Sequence, residues 1–214
     1  MKVTLVSCDI EIINNIANIA SVCYGKKEVE NPVSLVEQLY KNGHHSVFEH
    51  CKVSWMIEGL SRAASHQLVR HRMVSYTQSS QRYIDESGFA FVLPESINKN
   101  PVATQIYLDT INSINDGYVK LLEMGIKKED ARFLLPNACT TNIVMTCNLR
   151  EFIHICNERL CLKAQWEIRE MVNLMVKSLP EEIQWMCKPK CESGFMICNN
   201  PCKEKRKQRK EKRK

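Results

Sequence analysis

The chain has 214 residues, 44% of them hydrophobic and 25% charged, which is enough apolar matter for one buried core. No run approaches the ~20 apolar residues of a membrane span, and Met1-Lys2-Val3-Thr4-Leu5-Val6, followed at once by Asp9 and Glu11, reads as an edge strand rather than a signal peptide, so a cytoplasmic protein with no membrane partner is expected. The net charge of +6 belongs to residues 203–214, where nine Lys or Arg against two Glu give +7 and leave −1 for the rest; that balance argues against a globally basic nucleic-acid-binding body.

Residues 1–8 read as a strand. Residues 9–23 read as a helix capped by Asp9, because Ile12, Ile13, Ile16, Ile19, Ala20 and Cys23 recur at helical spacing. A second helix runs from Pro32 to Lys41, with proline at its first position and Gly43 just past its end. Lys52–Glu58 is strand-like, and helix returns from Ser61 to Arg72. Residues 75–95 read as irregular, punctuated by Gly88 and Pro94. A long helix covers 101–124, and a short one starts at Lys128 and stops before Pro136. Thr140–Cys147 is β-branched and apolar, hence a strand, and helices follow at 149–161 and 164–179. No repeat is visible, and the class is mixed α/β (α+β), helix-rich.

Three clusters carry chemistry. Arg70 to Tyr83 packs three arginines, one histidine, two glutamines and three serines into 14 residues with no carboxylate. Such cations repel one another unless an anion sits among them, and the guanidinium fork suits a phosphate. On a helix Gln67, Arg70 and His71 would share a face at i, i+3 and i+4. The second cluster, Gly43-His44-His45-Ser46-Val47-Phe48-Glu49-His50, invites a metal. Its spacing is not that of His-Glu-x-x-His and no further ligand stands nearby, so no metal is expected there, and Glu49–His50 also reads as a structural pair. In the third, Asn148, Arg150, His154 and Arg159 fall on one helix, with Asn148 and Arg159 11 residues, about three turns, apart. Read alone, Arg159 is as well explained by a surface salt bridge to Glu158 or Glu151 as by a ligand.

There are 11 cysteines. Cys8, Cys23, Cys51, Cys139, Cys147, Cys156 and Cys161 read as reduced core thiols, none as a nucleophile. Cys187, Cys191, Cys198 and Cys202 lie near the C-terminus and could bind zinc, at a spacing looser than a zinc knuckle. Seven glycines form no G-x-G-x-x-G, which excludes a Rossmann domain.

Arg70-His71-Arg72, seven residues, then Ser80 resembles the signature of the flavin-dependent thymidylate synthase family, and the likeness runs from about residue 15 to 180. Gly43-His44-x-Ser46-x-x-Glu49-His50, Ala131-Arg132-Phe133-Leu134-Leu135-Pro136 and Ala164-Gln165-Trp166-Glu167-Ile168 match further family segments. The resemblance implies that family's non-Rossmann fold, a homotetramer with intersubunit active sites, FAD as cofactor, and reductive methylation of deoxyuridylate (dUMP) to thymidylate with methylenetetrahydrofolate and NADPH as co-substrates. It places Gln67, Leu68, Val69, Arg70, Gln78, Ser79, Ser80, Gln81, Arg82, Arg132 and Arg159 at dUMP. His44, Ser46, Glu49, Arg70, His71, Arg72, Gln78, Asn148, Leu149, Arg150 and His154 fall at FAD. Arg159 takes the catalytic position facing the uracil ring, as an electrostatic activator, since arginine stays protonated. Where some members carry Glu, this chain has Gln78, a neutral amide that does not repel phosphate. Ser80 reads as a phosphate or ribose ligand, because no histidine–carboxylate pair backs it as a nucleophile.

The implied division is a catalytic domain at 1–185, a cysteine-rich appendage at 186–202 that the family's core does not need, and a basic tail at 203–214, disordered and solvated. Two rivals remain at this point. One is a relative making another 5-substituted deoxyuridylate. The other is an RNA-binding protein using the cysteine-rich appendage, the basic tail and Arg70-His71-Arg72.

Overall fold

A computed structural model describes residues 1–25 and 29–202. The chain forms two compact units, one of Met1–Lys2, Ile57–Leu68 and Thr77–Val144, the other of Val3–Met56, Val69–Tyr76 and Met145 onward. The strands are β1 (Lys2–Cys8), β2 (Lys52–Ser61), β3 (Val74–Gln78) and β4 (Thr140–Asn148), in the sheet order β1-β2-β4-β3. Ser54 Oγ meets Thr146 Oγ1 at 2.9 Å, while Gly59 N–H donates to Asn142 Oδ1 at 3.2 Å. Numbers rise along β2 as they fall along β4, so the pair is antiparallel. Gly59 sits at φ 73° inside β2, a conformation that glycine alone adopts without strain.

In the larger unit, α1 (Ile12–Ser21) and α2 (Pro32–Lys41) pack through Ile12, Ile16, Val36 and Leu39. α7 (Leu149–Arg159) and α8 (Trp166–Ser178) cover Trp55, whose ring lies 4.4 Å from Phe152 and whose Nε1–H donates to Ser178 Oγ at 2.9 Å. The other unit holds α4 (Glu95–Asn98), α5 (Pro101–Glu123) and α6 (Lys128–Ala131), and α5 contributes Ile111 to a small core with Phe89 and Cys139. Asn100 caps α5, accepting from Val102 and Ala103 N–H, with Pro101 at the first helical position. Two short helices, α9 (Glu181–Gln184) and α10 (Lys190–Ser193), follow α8. Among the described residues, no helix is long and apolar enough to cross a membrane.

Several expectations change. Helix α3 spans only Arg62–Leu68, and Val69–Arg70 turn out of it, so Gln67, Arg70 and His71 do not share a helical face. Residues 74–78 are a strand, not irregular: Val74, Tyr76 and Gln78 are half-buried while Ser75 and Thr77 are exposed, the period of two of a sheet. α1 starts at Ile12, because the Asp9 carboxylate accepts Lys52 N–H at 2.9 Å instead of capping the helix. Cys51, Cys139, Cys147 and Cys156 are buried as expected, but Cys8 and Cys161 are half-buried and Cys23 is exposed, since α1 ends at Ser21 and a 3₁₀ turn carries Cys23 off its face. Residues 186–202 belong to the larger unit: Met186 and Cys187 are buried, and Ser193 Oγ donates to Asn157 Oδ1 at 2.8 Å. The basic tail at 203–214 lies outside the described residues.

Candidate functional site

In the smaller unit, the loop after β3 is held by backbone and amide bonds that leave its hydroxyl-rich turn presented as a unit. Ser79 N–H donates to Asn142 O at 2.9 Å, and Arg62 Nη2 donates to Ser79 O at 2.8 Å. Gln78 Nε2 donates to Ser65 Oγ at 3.1 Å and to Thr141 Oγ1 at 3.2 Å, and Gln81 Nε2 reaches Cys139 Sγ at 3.6 Å. Ser80 O accepts from Tyr83 N–H and Ile84 N–H, and Ser80 Oγ from Arg82 N–H, which closes the turn. Arg82 donates through Nε and Nη2 to Glu129 Oε2 at 3.2 and 3.0 Å, while Arg132 Nε donates to Glu129 O at 3.0 Å. Glu129 thus gathers two arginines from segments 50 residues apart. Its ion pair with Arg82 is solvent-exposed on both sides, hence worth only ~0.2–1 kcal/mol and readily exchanged for a phosphate. Gln67 is half-buried at the end of α3, whereas the Leu68 side chain is fully buried in the core and offers a ligand no side-chain contact.

In the larger unit, Val69 and Arg70 turn out of α3 and residues 71–73 lead into β3. Val69, Arg70 and Arg72 are exposed and His71 is buried, at 7% exposure. His71 meets the face of α7 that carries Glu151, His154 and Arg159. Arg159 Nε donates to His71 Nε2 at 3.0 Å, Glu151 Oε1 stands 3.7 Å from His71 Nδ1, and the His154 ring sits edge-on at 5.9 Å. Burial first, then Arg159 and His154, push the His71 imidazole down to about 4, with Glu158 opposing. Burial also raises the Glu151 carboxyl. Glu158 pairs with Lys190 at 3.1 Å.

Asn148 is the N-cap of α7, its Oδ1 accepting Glu151 N–H at 2.8 Å. Leu149 is buried and its N–H donates to Cys51 O, so its side chain, like that of Leu68, belongs to the core. Arg150 pairs with Glu49 of the 3₁₀ turn His45–His50, which replaces the expected Glu49–His50 pair; His44, Ser46 and Glu49 are exposed beside it. His45 instead turns inward, with Nε2 3.2 Å from Tyr40 O and its ring stacked on Phe195 at 3.8 Å. The neighbouring Met196 Sδ lies 3.4 Å from His154 Nδ1.

His71, Glu151 and His154 bring one ligand atom each within 4.8 Å of one another, the arrangement among the described residues that could hold a metal ion. The Arg159 guanidinium on His71 opposes a cation there. No three of Cys187, Cys191, Cys198 and Cys202 bring their sulfurs together in this way. Cys187 is buried beside Cys156, while Cys191, Cys198 and Cys202 line a cavity of about 1010 Å³ that Arg159 and Cys161 also line.

Sequence reasoning passed over Arg62, Glu129 and Met196, and named Glu151 only as a salt-bridge partner for Arg159, not as a neighbour of His71. Glu151 was within its reach, lying three residues before His154 and eight before Arg159 on an amphipathic helix. The other three meet their partners only through chain folding, and Arg62, whose buried Nε has no hydrogen-bond partner, carries no local signal.

Residues 4–183 match the model of the family described as thymidylate synthase complementing protein. A flavin-dependent thymidylate synthase of Geobacter sulfurreducens is 38% identical over 211 residues, covering 89% of this chain and 90% of its own. One of Clostridium tetani is 33% identical over 207 residues, 84% of this chain and 83% of its own. A crystal structure of the flavin-dependent thymidylate synthase of Helicobacter pylori, complexed with FAD and dUMP, superposes with a TM-score of 0.74 at 20% identity, covering 87% of this chain and 98% of that one. A UMP/dUMP methylase of Streptomyces cacaoi bound with 5-Br dUMP has the same fold, with a TM-score of 0.74 at 21% identity over 83% of this chain and 88% of that one.

Proposed function

The chain belongs to the thymidylate synthase complementing protein family, that of the flavin-dependent thymidylate synthases, and from this we propose that it converts dUMP to thymidylate, using FAD, methylenetetrahydrofolate and NADPH, in the cytoplasm. What carries the reading is that residues 4–183, the span of the family match, include every arginine, glutamine and histidine of the three clusters. In the net reaction the C5–H bond of uracil gives way to a bond to the folate's one-carbon unit. NADPH is oxidised, the methylene is reduced to methyl, and tetrahydrofolate leaves. Bound FAD supplies the electron transfer between NADPH and that carbon.

The donor set fits these ligands. Gln67, Val69, Arg70, Gln78, Ser79, Ser80, Gln81, Arg82 and Arg132 would hold dUMP, with Arg82 exchanging Glu129 for phosphate. Leu68 and Leu149 would contribute through backbone or packing only. His44, Ser46, Glu49, Arg70, His71, Arg72, Gln78, Asn148, Arg150 and His154 would hold FAD. Arg159 would face the uracil ring. A guanidinium stays protonated, so it stabilises the negative charge that develops on the ring as C5 attacks, and takes no proton itself.

Cys51, Cys139 and Cys147 are poorly suited to the role of nucleophile. Burial pushes the Cys51 and Cys139 thiols up to about 11, and that of Cys147 higher, so they are not thiolates at neutral pH. A homotetramer with shared sites fits the smaller unit, which exposes Val102 (70%), Ile106 (63%) and Phe133 (83%).

The test is direct. Purified protein should show flavin absorbance and turn dUMP, NADPH and methylenetetrahydrofolate into thymidylate. Arg159→Ala should retain FAD and lose roughly 10²–10³-fold in kcat, the usual loss for one charge-stabilising donor. Formation from dUMP of a product other than thymidylate, such as 5-hydroxymethyl deoxyuridylate, would instead assign the chain to another 5-substituted deoxyuridylate, and a colourless protein carrying RNA would end the enzymatic reading.

A further inference from the structure

Arg159 has been assigned to the pyrimidine, yet a guanidinium on a flexible stem stabilises developing charge only if its orientation is set beforehand. The structure contains a device for this. His71 is buried on the segment between α3 and β3, and its Nε2 lies 3.0 Å from Arg159 Nε. Arginine can only donate, so Nε2 must hold a lone pair, and the neutral ring then carries its proton on Nδ1. Glu151 Oε1 faces that Nδ1 at 3.7 Å, beyond hydrogen-bond length but close enough to favour a proton there. The other groups around the ring are His154, edge-on, and Tyr76, whose hydroxyl donates to His71 O at 3.3 Å.

We propose that His71 is a positioning residue for Arg159: as the buried Nδ1–H tautomer it accepts the Arg159 Nε–H and fixes the rotation of the guanidinium presented to the pyrimidine. Glu151, three residues before His154 on α7, supports that tautomer. The inference rests on the reading of Arg159 as the group facing uracil, and gives His71 a task separate from any contact with flavin.

Two measurements test it on the full-length holoenzyme. The first is activity at saturating FAD and dUMP. His71→Phe keeps a ring of similar size without the acceptor and should lower kcat by up to roughly 100-fold, the scale of a misplaced catalytic group. His71→Gln can put an amide oxygen near the place of Nε2 and should recover most of that loss. With Arg159→Ala already present, His71→Phe should cost nothing further, because the two residues act as one unit. Losses that multiply, or equal losses in His71→Phe and His71→Gln, overturn the proposal while leaving the role of Arg159 intact. An Arg159→Ala enzyme with full activity removes the underlying reading instead, and the proposal with it. The second measurement needs no variant. Nitrogen-15 NMR of histidine-labelled protein should find His71 as the Nδ1–H tautomer at neutral pH; an Nε2–H tautomer or an imidazolium overturns it.

Discussion

A buried imidazole that accepts a guanidinium N–H also writes itself into the stability of the fold. The unfolded chain binds a proton on histidine near pH 6.5, and folded His71 binds it only near 4. Between those values the unfolded state holds more protons, so stability falls as pH drops. Above pH 6.5 nothing is lost; by pH 4 the cost reaches about 3 kcal/mol. His71→Gln should flatten that slope, which urea midpoints taken between pH 7.5 and 4.5 will measure. Parallel curves for the two proteins would place the titration elsewhere. At this scale the run Arg70 to Arg82 stands out in the sequence by its charge and amide content alone. The partners were out of the reach of sequence reasoning. Glu129 meets Arg82 from 47 residues away and Arg159 meets His71 from 88, separations on which no local pattern bears. It also placed Leu68 and Leu149 at ligands, where their side chains are packed out of reach.

The elements were largely written in periodicity and caps. Pro32, Pro101 and the β-branched run from Thr140 mark their segments as the structure has them. The errors lay between α3 and β3, where the helix was carried on to Arg72 and residues 75–78 were read as irregular although Val74 and Tyr76 alternate with Ser75 and Thr77. The first error matters for chemistry, because the chain leaves the helix at Leu68 and then buries His71 while exposing Arg70 and Arg72. The C-terminal segment is the second case. Read as dispensable, it places Met186 and Cys187 in the core and stacks Phe195 on His45. Truncation after Gln184 should therefore cost several kcal/mol, since losing one buried Met alone costs ~2–5 kcal/mol, and lower both the melting temperature and the bound flavin. A truncation melting like the full chain would show that these contacts add nothing. Asn148→Ala should cost about 1 kcal/mol by uncapping α7.

For the molecule as a whole, the proposed tetramer predicts a solution mass four times that of the 24.8 kDa chain, read by light scattering. If each site is completed across subunits, mixing inactive Arg82→Ala and Arg159→Ala proteins should restore part of the activity; no recovery would confine each site to one chain. The amino-acid sequence by itself determined the class of fold, most element boundaries and the family, because these rest on spacing and residue type along the chain. Only the tertiary structure decided which arginine holds which carboxylate, which histidine is buried against a guanidinium, and which leucines are core. Those are properties of partners brought together by burial, and burial is settled by packing of the folded chain rather than by neighbours in sequence.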